Sequence, residues 1–248
     1  MHSAFLRTEH RPWPLPPGRW TWRQSWCDLL FAHWAVPAKA LRPFIPDRLA
    51  LQEFDGTAWI GIVPFRMEGV MRRPLPDVPG ISAFPELNVR TYVELDGRPG
   101  VWFFSLDATN PFAVWAARRF FHLPYFRAHM TVTRERGGFL YKSRRAIRDP
   151  GMGFEATFRP SSPVYEASPG TLEHWLTERY CLYAHSPRHG LSRTEVHHPP
   201  WPLQHAEAEI LDNEMLSPFG MTLAPQPDLL HFSRRLDVVV WSPTPLTE

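Results

Sequence analysis

LNVRTYVELDGRPGVWFFSLDA runs from Leu87 to Ala108. Asn88, Arg90, Tyr92 and Glu94 share one parity; Leu87, Val89, Thr91, Val93 and Leu95 share the other. Period-two alternation predicts a strand with one polar and one apolar face. Asp96-Gly97 follows, then the β-rich run Val101–Ala108, so the stretch predicts a hairpin. LALQEFDGTAWIGIVPFRM (Leu49–Met67) repeats the pattern, with Asp55-Gly56 at the turn and Pro64 marking an edge or bulge in the second strand.

The same grammar extends in both directions. Trp20–Trp34 is aromatic and β-branched enough for a first strand, and VPAKALRPFIP (Val36–Pro46) predicts a short helix closed by Pro43 and Pro46. Arg72–Glu86 predicts a long loop. Downstream, NPFAVWAARRFF predicts a helix with Asn110 as its cap and Pro111 as its first residue. In FFHLPYFRAHM (Phe120–Met130) one proline, Pro124, separates that helix, Pro111 to His122, from a strand. Tyr125, Arg127, His129 and Thr131 of this strand alternate with Phe126, Ala128, Met130 and Val132. After a Gly137-Gly138 turn come strands in Phe139–Ile147 and near Phe154–Arg159, and a helix starting at Ser168, Pro169 or Thr171. Tyr180–His185 and Leu191–His197 predict a strand pair, Leu203–Leu211 fits strand or helix, and Leu229–Trp241 predicts a final strand.

Ten or more strands with a few short helices make the chain mainly β (α+β). The 28 prolines argue against a helix bundle. An antiparallel barrel or curved sandwich would close or cover the strand edges. Residues 1–19, polar and proline-rich, are expected to form a loose N-terminal arm, and residues 20–248 a single β-barrel domain.

Composition narrows the function. Net charge is +2, and the arginine pairs at 72–73, 118–119, 144–145 and 234–235 are scattered among carboxylates, which argues against a nucleic-acid face. No apolar run approaches a spanning helix and the N-terminus lacks the apolar core of a signal peptide. Cys27 and Cys181 are too few for a disulfide framework, so a cytoplasmic protein with reduced thiols and no membrane partner is expected. The histidines His185, His189, His197, His198 and His205 lack the spacing of a zinc site, and no metal is expected. There is no GxSxG, GxGxxG or P-loop, and no cofactor is expected. Lys39 and Lys142 are the only lysines. Lys142 neighbours Arg144 and Arg145, a setting that could activate an amine for imine chemistry, but an exposed strand lysine explains it as simply. The ligand-binding candidates are Glu86, Asn88, Arg90, Tyr125, Arg127 and His129. If they share the lumen, they set a cation and a carboxylate among aromatic walls, which suits a small acid or carbonyl compound. Otherwise they form an outer sheet face.

The stretches His33–Val70 with Phe84–Ala108, Phe120–Met130 and Leu229–Trp241, in this order, resemble the YqjF-like family, a domain-of-unknown-function family. The resemblance covers nearly the whole chain after residue 20. It implies the acetoacetate decarboxylase-like fold, a β-barrel or cone with a ligand-binding cavity. Decarboxylases of that fold carry an FPKK-like corner whose first lysine forms the Schiff base while its neighbour lowers its pKa. Here the corner is HLPYF: Tyr125 and Phe126 stand where the lysines would be, and neither can form an imine. The glutamate of those relatives corresponds to Glu86.

Three expectations follow. The first is a small-molecule-binding barrel that lacks the Schiff-base lysine. The second is an enzyme on a small carbonyl or carboxylate substrate, with Tyr125 or His129 as acid/base and an arginine as anion anchor. The third is a structural protein with a filled barrel whose aromatic faces, among 11 tryptophans, bury in a homo-oligomer.

Overall fold

The computed structural model describes residues 2–78, 82–135, 137–146 and 152–246. Residues 79–81 of the expected Arg72–Glu86 loop and Ile147 of the expected seventh-strand stretch lie outside the described residues. The strands are β1 (Trp22–Val36), β2 (Ala50–Leu51), β3 (Ala58–Arg72), β4 (Phe84–Leu95), β5 (Arg98–Ala108), β6 (Tyr125–Glu135) and β7 (Gly138–Arg145). They continue with β8 (Gly153–Pro160), β9 (Cys181–Ser186), β10 (Gly190–His197), β11 (Leu203–Asn213), β12 (Leu229–Val240) and β13 (Thr244–Pro245). Among the described residues three short α-helices accompany them: α1 (Ala38–Leu41), α2 (Pro111–Ala116) and α3 (Leu172–Thr177). The Leu203–Leu211 ambiguity resolves as strand.

All the strands belong to one sheet ordered β13-β10-β9-β5-β6-β7-β8-β11-β12-β1-β3-β4-β2, with further pairings of β4 to β5 and of β10 to β12. The sheet is mixed, which corrects the antiparallel expectation. β5 runs parallel to β6, with Leu106 opposite Tyr125, and parallel to β9, with Val101 opposite Leu182. The cause lies in the connection. Residues 109–124 carry α2 and a following π turn, Ala117–Phe121, and bring the chain back to enter β6 in the direction of β5. Parallel strands require a crossover of about this length. The Asn110 side chain caps α2 by accepting from the Phe112 and Ala113 amides at 2.9 and 3.1 Å.

β1 shows why the pattern reads as it does. Leu30, Ala32 and Trp34 pack into one core cluster with Leu87, Val89, Tyr141 and Phe232. Leu29 and Phe31 pack on the opposite face with Val63, Phe65, Leu106 and Trp201. A strand covered on both faces reads as a continuous apolar run. Pro64 lies opposite the interruption in the β1–β3 register between Cys27 and Ala32, so its missing N–H falls at a bulge, as its sequence position suggested. The arm expected to be loose is docked instead. Ala4 is buried against Val239 and Trp241, and Arg11 is buried in an ion pair with Glu195 at 2.5 Å. A buried carboxylate on β10 thus holds a segment whose composition alone suggested mobility. No helix among the described residues is long and apolar enough to cross a membrane.

Candidate functional site

The second core face bounds a cavity of about 660 Å³. Glu86, Asn88 and Arg90 reach it from alternate positions of β4, and Tyr125 reaches it from the first residue of β6. Four of the six residues singled out from sequence therefore line one cavity. Arg127 and His129 do not: both are exposed and lie with Lys142 and Glu155 in a separate outer depression. Alternation places them on the same strand face as Tyr125, but pairing with β5 ends at Arg127. Beyond that point β6 pairs with β7, and the face that looked into the cavity looks into solvent.

The cavity's acid is Glu86. Its Oε2 accepts the Tyr125 hydroxyl at 2.9 Å, and its backbone carbonyl accepts the Tyr141 hydroxyl at 2.7 Å. Burial pushes its carboxyl up to about 8, against the lowering effect of the Tyr125 bond and with a smaller push from the Asp107 charge. Glu86 is thus protonated at neutral pH and contributes no charge. Burial, with the neighbouring carboxylate, holds the Tyr125 phenol well above its ordinary range.

Behind this wall, Asp107 pairs with Arg145 at 2.8 Å, and the Arg145 guanidinium lies 3.8 Å from the centre of the Phe126 ring. Burial pushes Asp107 up to about 6 although Arg145 opposes the shift. The sequence carried a signal for this residue, a lone acid inside the apolar run FFSLDA, and reading the strand for its faces passed over it.

At the other end of β4, Arg90 is buried beneath the rings of Phe31 and Tyr92, whose centres lie 5.2 and 5.7 Å from its guanidinium carbon. Gly61, opposite Arg90 on β3, leaves room for the His33 ring, from which a Cβ there would sit 3.1 Å away. A second buried arginine, Arg179, lies 4.9 Å from the Tyr92 ring centre. It follows α3 and donates to the Trp175 carbonyl at 2.7 Å and to the Gln52 side chain. Burial lowers it to about 10. Arg90 donates one long bond, 3.4 Å, to the Leu176 carbonyl. Among the described residues neither arginine forms an ion pair, and Arg90 Nε, Arg179 Nη2 and the Asn88 Oδ1 lack hydrogen-bond partners. Arg179 was missed from sequence because LTERYC offers no periodicity that separates it from an exposed helix-end arginine. No group of His, Cys, Asp and Glu among the described residues could hold a metal ion.

Neither lysine lines the cavity. Lys142 Nζ pairs with Glu155 Oε1 at 2.7 Å on the outer surface, and Lys39 is exposed on α1.

The family model of DUF2071, described as an uncharacterized conserved protein, matches residues 23–237. The uncharacterized protein YqjF of Bacillus subtilis (strain 168) is 45% identical over 227 residues, covering 92% of this chain and 93% of the relative. Among solved structures, the enduracididine biosynthesis enzyme MppR complexed with pyruvate superposes with a TM-score of 0.63 at 15% identity, over 94% of this chain and 92% of the other. Acetoacetate decarboxylase from Legionella pneumophila superposes with a TM-score of 0.60 at 13% identity, over 99% and 94%. These likenesses establish the acetoacetate decarboxylase-like fold.

Proposed function

We propose that this chain, which belongs to the DUF2071 family, is a small-molecule-binding protein whose cavity takes a carboxylate without forming an imine. The observation that carries this reading is the pair Arg90 and Arg179, two buried cations on the cavity wall with no ion-pair partner among the described residues. A buried unpaired charge is strongly disfavoured, and two that line the same cavity are relieved by an anion bound there. The neutral Glu86 carboxyl leaves the cavity wall without a competing negative charge.

The pairing circuit supports a barrel. From β5 the sheet passes through β6, β7, β8, β11, β12, β1, β3 and β4, and β4 pairs again with β5. A closed sheet of this kind can enclose a ligand cavity. The positions of both lysines outside that cavity, and Tyr125-Phe126 at the corner after Pro124, favour chemistry other than imine formation. A solved neighbour bound to pyruvate, a keto acid, is consistent with a carboxylate ligand. The two free, buried cysteines suit a reducing compartment such as the cytoplasm.

One observation favours a second reading, an enzyme acting on a carbonyl or carboxylate substrate. A protonated carboxyl bonded to a phenol, with its pKa near working pH, is the equipment of a general acid. In that reading Glu86 and Tyr125 hold the proton; His129 is too far out on the surface strand to take part.

The test is thermal shift of the wild type and of Arg90→Met with pyruvate, acetoacetate and butyrate. Binding to the folded state alone raises the melting temperature by mass action. The expected result is a shift in the wild type that is lost in the variant. Borohydride added with either keto acid should leave the protein mass unchanged; an adduct on Lys142 or Lys39 would overturn the non-imine part.

A further inference from the structure

The cavity is far larger than a small keto acid requires. Its 660 Å³ matches the volume of roughly twenty liquid waters. Between its polar groups and its mouth the wall is built from side chains such as Val63, Phe65, Leu106 and Leu123. A ligand of a few heavy atoms, held at the arginines, would leave these groups facing empty space or poorly bonded water.

The polar and apolar ends separate along β4. Arg90 stands four residues beyond Glu86, about 13 Å along a strand, on the side of α3. The end of β4 that carries Phe84 lies toward α2, since Glu86 pairs with Ala108, the last residue of β5 before the crossover. At that end the wall continues to the surface. Leu75, Phe112, Trp115 and Phe120 line the cavity while remaining 58%, 58%, 54% and 48% exposed. Large apolar side chains left in water and continuous with an apolar cavity mark a ligand route rather than scattered surface apolarity.

We propose that the natural ligand is an amphiphilic carboxylate: its head is bound by Arg90 and Arg179, and an alkyl tail fills the cavity toward α2. This rests on the carboxylate reading above and adds the tail. Arg90 and Arg179, cations that line the cavity without an ion-pair partner among the described residues, supply the charge that holds the head, and the apolar wall supplies the area against which each added methylene is buried.

The experiment is calorimetric titration of the full chain with straight-chain alkanoic acids from butanoate to dodecanoate, kept below their micelle concentrations, and with the matching primary alcohols. The acids should tighten by roughly three- to fourfold per methylene until the tail reaches the mouth, and each alcohol should bind at least tenfold more weakly than its acid. Arg90→Met should lose that difference between acid and alcohol. Ala113→Phe, on the cavity face of α2, should weaken dodecanoate at least tenfold and leave butanoate unchanged. Acids that bind through Arg90 with no dependence on chain length would overturn the tail and leave the carboxylate reading standing. Acids and alcohols that bind equally, with Arg90→Met silent, would overturn the head and the carboxylate reading together. No binding at any length would overturn both.

Discussion

The Tyr125 hydroxyl donates to Glu86 Oε2 at 2.9 Å, tying the first residue of β6 to the third residue of β4. The bond joins the two strands that flank β5 and fixes a carboxyl inside the cavity. Its position explains why the corner after Pro124 is built as it is: the phenol satisfies an acid whose other surroundings are apolar.

The Glu86 contribution to stability should therefore fall with rising pH, whereas the buried His33, His197, His198 and His231, which burial holds below their ordinary value, act in the opposite direction below about 6.5. The native chain holds the Glu86 proton to about 8, whereas the ordinary value is 4.5. Between these values the folded chain holds the Glu86 proton more tightly than the unfolded chain, so this contribution is greatest at the acidic end and is lost as pH rises toward 8. The loss attributable to Glu86 should be about 2–5 kcal/mol. Asp107, raised from 3.8 to about 6, adds a smaller decline of the same sign at lower pH. Urea midpoints measured from pH 5 to pH 9 on wild type and Glu86→Gln check this. Subtracting the variant's profile from that of the wild type should leave a decline that ends near pH 8, since the histidines and Asp107 are common to both; parallel profiles would refute the assignment to Glu86.

Tyr125→Phe removes the donor and leaves a buried oxygen without its partner. The expected loss is about 1–3 kcal/mol. Because the Tyr125 bond opposes the effect of burial on Glu86, its removal should also push the Glu86 titration higher. The variant's decline should thus extend further into alkaline pH than the wild type's. In the Glu86→Gln background the Tyr125→Phe loss should shrink, and a double-mutant cycle measures the difference.

The Asp107–Arg145 pair should be the more severe site. Asp107 is fully buried and Arg145 nearly so. Arg145→Met would strand the carboxylate and should destabilise the protein by about 3–5 kcal/mol near neutral pH. Below the Asp107 titration the carboxyl is protonated, so the loss should diminish in acid. Equal losses at pH 5 and pH 8 would show that packing against Phe126, not charge, sets the effect.

How much of this was legible beforehand differs from strand to strand. Period two along Leu87–Leu95 placed Asn88 and Arg90 on one face, and the chain does bring them into one cavity. The same rule grouped Tyr125 with Arg127 and His129, and there it divided the group wrongly. Periodicity gives the face of a strand; what covers that face depends on where pairing with β5 stops, a long-range fact. Parallel pairing of β5 with β6 was encoded in a helix-bearing crossover at residues 109–124, which the antiparallel expectation left unused. Arg179 became part of the site only because α3 packs beside Tyr92, a contact without local signature.

Arg90 separates binding from stability most sharply. It is as deeply buried as many core residues, yet among the described residues it makes only one long hydrogen bond, at 3.4 Å, and rests on aromatic faces. A cation kept for folding would be paired, as Arg145 is; removing it would then strand a partner. Removing Arg90 strands no carboxylate among the described residues and relieves a desolvated charge next to Arg179. Arg90→Met should therefore leave the melting temperature of the ligand-free protein unchanged or raise it, while Arg145→Met lowers it. With butanoate present the order should invert for Arg90, because the wild type gains stability by mass action and the variant does not. Differential scanning calorimetry with and without ligand reads both effects in one experiment. A large loss of ligand-free stability in Arg90→Met would mean that the arginine serves the fold and is not kept for an anion.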